Sequence, residues 1–119
     1  MISFLKKYKR KFQYAFQGLL YGCLKDRSIR LHVGIALLVI GVCACLSLSM
    51  MEWCFIIGSI FIVLAFEFVN SAIEGIVDFI SPNYHKEAKK IKDYAAAAVL
   101  LISFLAAMIG IYIIGGKLW

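Results

Sequence analysis

Long apolar runs, separated by short polar interruptions, dominate the chain from Leu31 onward. The first runs from Leu31 to Leu48, with His32 as its one member of the Asp, Glu, Lys, Arg and His set. The second begins at Trp53, is broken by Glu67 shortly before Val69, and continues with helical character to Ile80. The third runs from Tyr94 to Ile114 and contains no charged residue. A membrane span takes about 20 apolar residues, within a range of about 17–25, so the pattern predicts three transmembrane helices.

The N-terminal segment has a different period. Phe4, Tyr8, Phe12 and Phe16 recur every fourth residue, with Leu5, Ala15, Leu19 and Leu20 beside them. Lys6, Lys7, Lys9, Arg10 and Lys11 take much of the remaining surface. Aromatic residues on one face and cations on the other predict an amphipathic helix over residues 3–21, lying in the membrane interface. Taken alone, that pattern is most simply a plain membrane anchor. Gly22 and the run Lys25-Asp26-Arg27-Ser28 predict a turn before the first span. The second long helix should stop at Ser81-Pro82, because a residue preceding proline disfavours the α region. A short loop, Pro82 to His85, then leads to a helix starting near Lys86. In that helix Ala95 to Ala98 allows close helix approach. The expected fold class is an all-α integral membrane protein, one domain over residues 1–119, with helices over 3–21, 31–48, 53–80 and 86–114.

Composition agrees with this reading. Of 119 residues, 63% are hydrophobic and 17% charged, against about 45–50% and 25% in soluble domains. The net charge of +6 is distributed asymmetrically. Lys6, Lys7, Lys9, Arg10, Lys11, Lys25, Arg27 and Arg30 precede the first span, and Lys86, Lys89, Lys90 and Lys92 lie between the second and third. The loop between the first and second spans carries only Glu52, and the tail only Lys117. The positive-inside rule places the N-terminus and the second loop in the cytoplasm, which agrees with an odd number of spans. The basic charge suits anionic lipid. Nucleic-acid binding is disfavoured, because no soluble domain presents that charge. Cys23, Cys43, Cys45 and Cys54 have neither zinc spacing nor a disulfide framework and are read as small apolar packers.

Candidate chemistry concentrates between Glu67 and Asp78. At about 100° per residue, with Glu67 at zero, Asn70 falls near 300°, Glu74 near 340° and Asp78 near 20°. These four therefore share one face of an otherwise apolar helix. From Glu52, fifteen residues at about 1.5 Å each put Glu67 roughly 22 Å along the axis, inside a hydrocarbon layer about 30 Å thick. Ionisable groups there are costly, and they usually face a bundle interior or a cavity. A hydrogen-bonded patch between helices is the structural alternative. Aligned carboxylates can hold Mg²⁺, a hard cation that bridges to phosphates. Lys92 and the His85 loop supply the cations and donors that phosphate requires. Phosphoryl transfer needs such groups plus a base for the attacking hydroxyl. No Walker loop or protein-kinase signature is present.

The run Glu67-x-x-Asn70-Ser71-Ala72-Ile73-Glu74-x-x-Val77-Asp78, followed by Tyr84-His85 and Lys92-Asp93, resembles the prokaryotic diacylglycerol kinase family, which includes undecaprenol kinases. The resemblance covers nearly the whole chain. It implies a bacterial inner-membrane homotrimer forming a helical bundle, with active sites between subunits. It further implies Mg²⁺-ATP as donor and a membrane lipid alcohol as acceptor. By the same resemblance Glu67 matches the catalytic carboxylate that takes the lipid hydroxyl proton. Glu74 matches a metal ligand, and Asp26 stands where the family usually has a second, a Glu. Tyr14, four residues before Gly18-Leu19, matches a nucleotide contact, as do Tyr84, His85, Lys92 and Asp93. Asn83 replaces an acid found in part of the family, and Lys7 stands where a basic residue meets phosphate. Asn70 and Asp78 match supporting residues. Arg30-Leu31-His32 resembles the Arg-x-His of the undecaprenol branch, where the diacylglycerol branch tends to carry an acid in place of the His. An interfacial polar residue is the other reading of His32.

Three functions are therefore in play. The first is a lipid kinase acting on undecaprenol, with diacylglycerol as the alternative acceptor. The second is a proton or cation pathway along Glu67, Glu74 and Asp78. The third is a scaffold in which that stripe is idle. A pathway needs polar groups across the whole membrane, whereas Trp53 to Ala65 offers only Ser59 and the third span only Ser103. The charge asymmetry makes one direct prediction. In intact cells, with the four native cysteines replaced by serine, a membrane-impermeant thiol reagent should label Trp119→Cys and not Asn83→Cys, and the reverse pattern would overturn the orientation.

Overall fold

A computed structural model describes every residue from Met1 to Trp119 as four helices joined by short connections. They are α1 (Ile2–Lys25), α2 (Arg27–Ala44), α3 (Met50–Ile80) and α4 (Lys86–Leu118). The last three are each long and apolar enough to cross a membrane. The predicted helices all exist, but several boundaries shift.

α1 does not stop at residue 21. It passes through Gly22 to Lys25, and the expected turn narrows to Asp26, whose backbone is extended (φ −89°, ψ 121°). One residue suffices because Asp26 is itself the N-cap of α2, its Oδ1 accepting from the Ile29 N–H at 3.1 Å. α2 consequently begins at Arg27, earlier than residue 31, and ends at Ala44, short of residue 48. α3 begins at Met50 because Ser49 closes a capping box. The Glu52 N–H donates to Ser49 Oγ at 3.2 Å, and the Ser49 N–H donates to Glu52 Oε1 at 2.8 Å. This arrangement satisfies orphan donors at the helix start. α3 ends at Ile80, before Ser81-Pro82, as expected. α4 is capped by His85, whose Nδ1 accepts from the Glu87 N–H at 3.1 Å. It continues four residues past the predicted end, to Leu118.

α3 and α4 form the most extensive helix pair. Their far end holds a small core of Cys43, Ile56 and Ile113, flanked by Val39, Trp53 and Ile109. Lys117 Nζ, 3.0 Å from Glu52 Oε1, joins α4 to α3 at that end. At the opposite end Lys92 pairs with Asp78. α1 docks through Gly22, where a Cβ would lie 2.3 Å from Phe68 Cε1 and 3.2 Å from Ile29 Cδ1. Glycine is required there for close approach. Cys43 packs as expected and Cys23 is half-buried, but Cys45 and Cys54 are exposed.

Only 9 of 119 residues are buried. Residues 1–21 are exposed throughout, including Phe4, Phe12 and Phe16. Leu101, Phe104 and Ile111 of α4 are likewise uncovered. Apolar surface on this scale requires lipid or further protein around it.

The Gly22 contact yields a prediction. Gly22→Val should displace Phe68 and cost about 1–3 kcal/mol, the usual range for overpacking. A lowered thermal midpoint in detergent checks it, and an unchanged midpoint would remove Gly22 as the docking point.

Candidate active site

The acidic face of α3 meets α2 and α4 in three successive contacts. Deepest is Glu67, which is 4% exposed. Its Oε1 lies 2.9 Å from His32 Nε2 on α2, while its Oε2 is buried without a hydrogen-bond partner. One turn on, Ser71 Oγ donates to Asp26 Oδ2 at 2.6 Å. Beside Ser71, and within α3 itself, Asn70 Nδ2 donates to Glu74 Oε1 at 3.3 Å, and Asn70 Oδ1 is buried and unpartnered. Near the helix end Asp78 pairs with Lys92 of α4.

His32 of α2 lies six positions after its N-cap Asp26, and Ser71 lies four positions after Glu67 on α3. The two cross-helix contacts therefore run in opposite chain directions, as in an antiparallel pair, and together set its register. Asp26 does double duty: one oxygen caps α2 and the other accepts from α3. The Ser71 hydroxyl, more than any other group, holds the Asp26 carboxyl below its ordinary range. Partial burial opposes this, and the Ile29 and Ser28 N–H groups and Arg30 add to the lowering. A depressed carboxylate contributes stability fully above its unfolded value and loses it as pH falls through the folded one.

The residues expected to contact nucleotide fall in separate places. Lys7 and Tyr14 line one concavity of about 390 Å³ with Lys6, Arg10 and Lys11. Asn83, Tyr84 and His85 are exposed in the α3–α4 connection. The Asn83 carbonyl accepts from Ser81 Oγ at 3.2 Å, and His85 is engaged as the α4 cap. Lys92 is taken up by Asp78. Asp93 is taken up by Lys89 Nζ at 2.6 Å. Arg30 is exposed and makes no side-chain bond.

The expected metal ligands are not assembled within one chain. Nowhere do three or more His, Cys, Asp or Glu side chains gather as they would around an ion. Asp26 has both oxygens engaged, while Glu74 is exposed and holds only Asn70. The donor type still fits. Mg²⁺ takes oxygen ligands and is commonly held by one or two carboxylates plus substrate phosphates, so a complete protein cage is not required.

Beneath His32 a cavity of about 410 Å³ lies between α2, α3 and α4. Its wall is mostly apolar, including Val39, Ile60, Val63 and Ile114. Among its polar residues, Ser59 Oγ donates to the Phe55 carbonyl of its own helix at 2.7 Å, and Ser103 Oγ is buried without a partner.

Two features are not evident from sequence alone. Ser71, at about 40° on the same helical wheel, shares the acidic face, but only the packing shows its bond to Asp26. The sequence offers His32 as a residue of substrate choice or of the interface, whereas it is bonded to Glu67. Its place one residue into an apolar run was the available signal.

Comparison with known proteins identifies the family. The family model for prokaryotic diacylglycerol kinase matches residues 13–114. An undecaprenol kinase of Bacillus subtilis is 33% identical over 115 residues, covering 96% of this chain and 93% of that one. A diacylglycerol kinase of Helicobacter pylori is 35% identical over 99 residues, covering 81% and 77%. The Escherichia coli diacylglycerol kinase is 33% identical over 96 residues, covering 80% and 78%. With the match spanning most of the chain and reaching through the acidic face of α3, the chain belongs to the prokaryotic diacylglycerol kinase family.

Proposed function

We propose that the chain transfers the γ-phosphate of ATP to the hydroxyl of a membrane lipid alcohol, with Glu67 as the base. The observation that carries this reading is Glu67 itself: a buried carboxylate with one oxygen held by His32 and the other free. A free, desolvated carboxylate oxygen can accept a hydroxyl proton. Its depth lets the lipid react without leaving the bilayer. Glu74 and Asp26, within a turn of Ser71, would hold Mg²⁺ together with the nucleotide phosphates. When bound, the ion neutralises phosphate charge during transfer. Lys7, Tyr14, Asn83, Tyr84, His85, Lys92 and Asp93 are assigned to the nucleotide, with Lys92 exchanging Asp78 for phosphate. Asn70 supports Glu74.

The acceptor we favour is undecaprenol, giving undecaprenyl phosphate, on Arg30-x-His32 and on similarity to the Bacillus subtilis undecaprenol kinase. Similarity of the same order to diacylglycerol kinases makes diacylglycerol the second acceptor. A homotrimer with sites between subunits suits the sparse burial, the exposed Glu74 and the orphaned Asn70 oxygen. The bacterial relatives suit an inner membrane, and the charge asymmetry supports N-terminus and site on its cytoplasmic side. α1, with its uncovered aromatic residues, would lie in the interface of that leaflet. The apolar core beyond the cavity disfavours a proton pathway, because past His32 the cavity wall offers only the hydroxyls of Ser59 and Ser103 and no titratable group.

Glu67→Gln should lower kcat by roughly 10²–10⁴-fold, the usual range for lost acid–base catalysis, with Mg²⁺-ATP affinity little changed. A folded variant with near-normal kcat would defeat the assignment, and weakened nucleotide binding alone would move Glu67 to the metal site. Glu74→Gln should abolish activity at ordinary Mg²⁺ concentrations; unchanged activity would remove it as a ligand. At equal mole fraction undecaprenol should be phosphorylated faster than diacylglycerol, and the reverse order would show that Arg30-x-His32 does not read the acceptor.

A further inference from the structure

His32 occupies an unusual place. It is the one titratable residue lining the 410 Å³ cavity, and it is bonded to Glu67, the buried acid of α3. A base must carry a lone pair, and an ionised carboxylate only accepts hydrogen bonds, so with Glu67 as the base Nε2 is the donor in the 2.9 Å contact. Glu67 Oε2 is left without a partner. The two carboxylate oxygens are thus inequivalent: one is held by α2 and the other is free.

We propose that His32 is the positioning residue for Glu67. This rests on the reading of Glu67 as the base. A glutamate side chain has three rotatable bonds, and a base that samples many rotamers seldom presents a lone pair at the right angle. Tying Oε1 to an imidazole anchored on α2 restricts those rotamers and aims Oε2, which lowers the orientational cost of the reaction. The same hydrogen bond stabilises the carboxylate charge in surroundings that solvate it poorly. In the transfer step the lipid hydroxyl gives its proton to Oε2, and its oxygen forms the new bond to the γ-phosphorus. The bond from that phosphorus to the β–γ bridging oxygen breaks, and ADP leaves with the electron pair. His32 keeps its own proton throughout and touches no reacting atom.

A purely structural role for the contact is the competing account, since Asp26–Ser71 and His32–Glu67 both pin α2 against α3. The two accounts separate in a double-mutant cycle on the full-length protein in lipid vesicles. The variants are His32→Leu, which removes the donor, and His32→Gln, whose amide nitrogen can reach a similar point. Each is made alone and with Glu67→Gln, and each is measured for kcat, Mg²⁺-ATP affinity and thermal midpoint. His32→Leu should lower kcat by about 10- to 100-fold, as loss of an orienting partner commonly does. Nucleotide affinity should stay within about twofold, and His32→Gln should recover most of the rate. In the Glu67→Gln background His32→Leu should cost nothing more, because the group it orients is gone. An equal fold-loss in both backgrounds, a loss that tracks the thermal midpoint, or no loss at all would overturn the proposal. If His32→Leu is harmless while Glu67→Gln is inactive, the proposal fails and the base assignment stands. If Glu67→Gln keeps the wild-type rate, the base assignment fails and takes this inference with it.

Discussion

A carboxylate placed in hydrocarbon must find a partner, and the arrangement of α2 against α3 meets that requirement for Glu67. Leaving such a charge unpaired costs several kcal/mol. His32 is the partner, 2.9 Å away, and its position in turn depends on where α2 starts. That start is set by Asp26, which caps α2 and accepts from Ser71. Breaking the chain at one residue, bonding Asp26 to Ser71 and bonding His32 to Glu67 are linked parts of one packing solution. Both partners of each cross-helix contact lie on the acidic side of α3 or on the facing side of α2.

The remainder of the molecule frames that contact. α3 and α4 are joined by ion pairs at opposite ends, Lys117–Glu52 and Lys92–Asp78. Their energetic weight differs with setting. The Asp78 side chain is 62% exposed, so its pair with Lys92 contributes little to stability and can open at small cost. That suits a lysine assigned to phosphate. Glu52 is held by Ser49 and Lys117 together and closes the opposite end over the Cys43, Ile56 and Ile113 core. One end is thus built to stay shut, and the other presents loosely held cations and carboxylates around a deeply fixed acid.

The helices were legible because apolar run length and the Ser81-Pro82 stop are local signals. The acidic face was legible because 3.6 residues per turn places Glu67, Asn70, Glu74 and Asp78 together without tertiary information. Boundaries set by capping were less so. Nothing in Gly22 by itself distinguishes a helix break from a close-packing site, and only the Phe68 ring against it decides. The same holds for Asp26, whose sequence position suggested a loop acid or a ligand, while its two hydrogen bonds come from different helices. His32 and Glu67 are 35 residues apart. Pairing them required knowing how α2 and α3 register, which periodicity within either helix does not contain. The residues that the family resemblance assigns to nucleotide lie dispersed within one chain between the α1 concavity and the α3–α4 connection, and no local pattern joins them.

The proposed role of the buried acid of α3, transfer of phosphate to a lipid, can be followed with the γ-phosphate of labelled ATP and the purified chain in sealed vesicles, before and after undecaprenol is added. Label should move into the organic-soluble lipid fraction only once the alcohol is present, with stoichiometric ADP and no proton flux across the vesicle. ATP turnover indifferent to lipid alcohol, or proton flux without phosphorylated lipid, would contradict it.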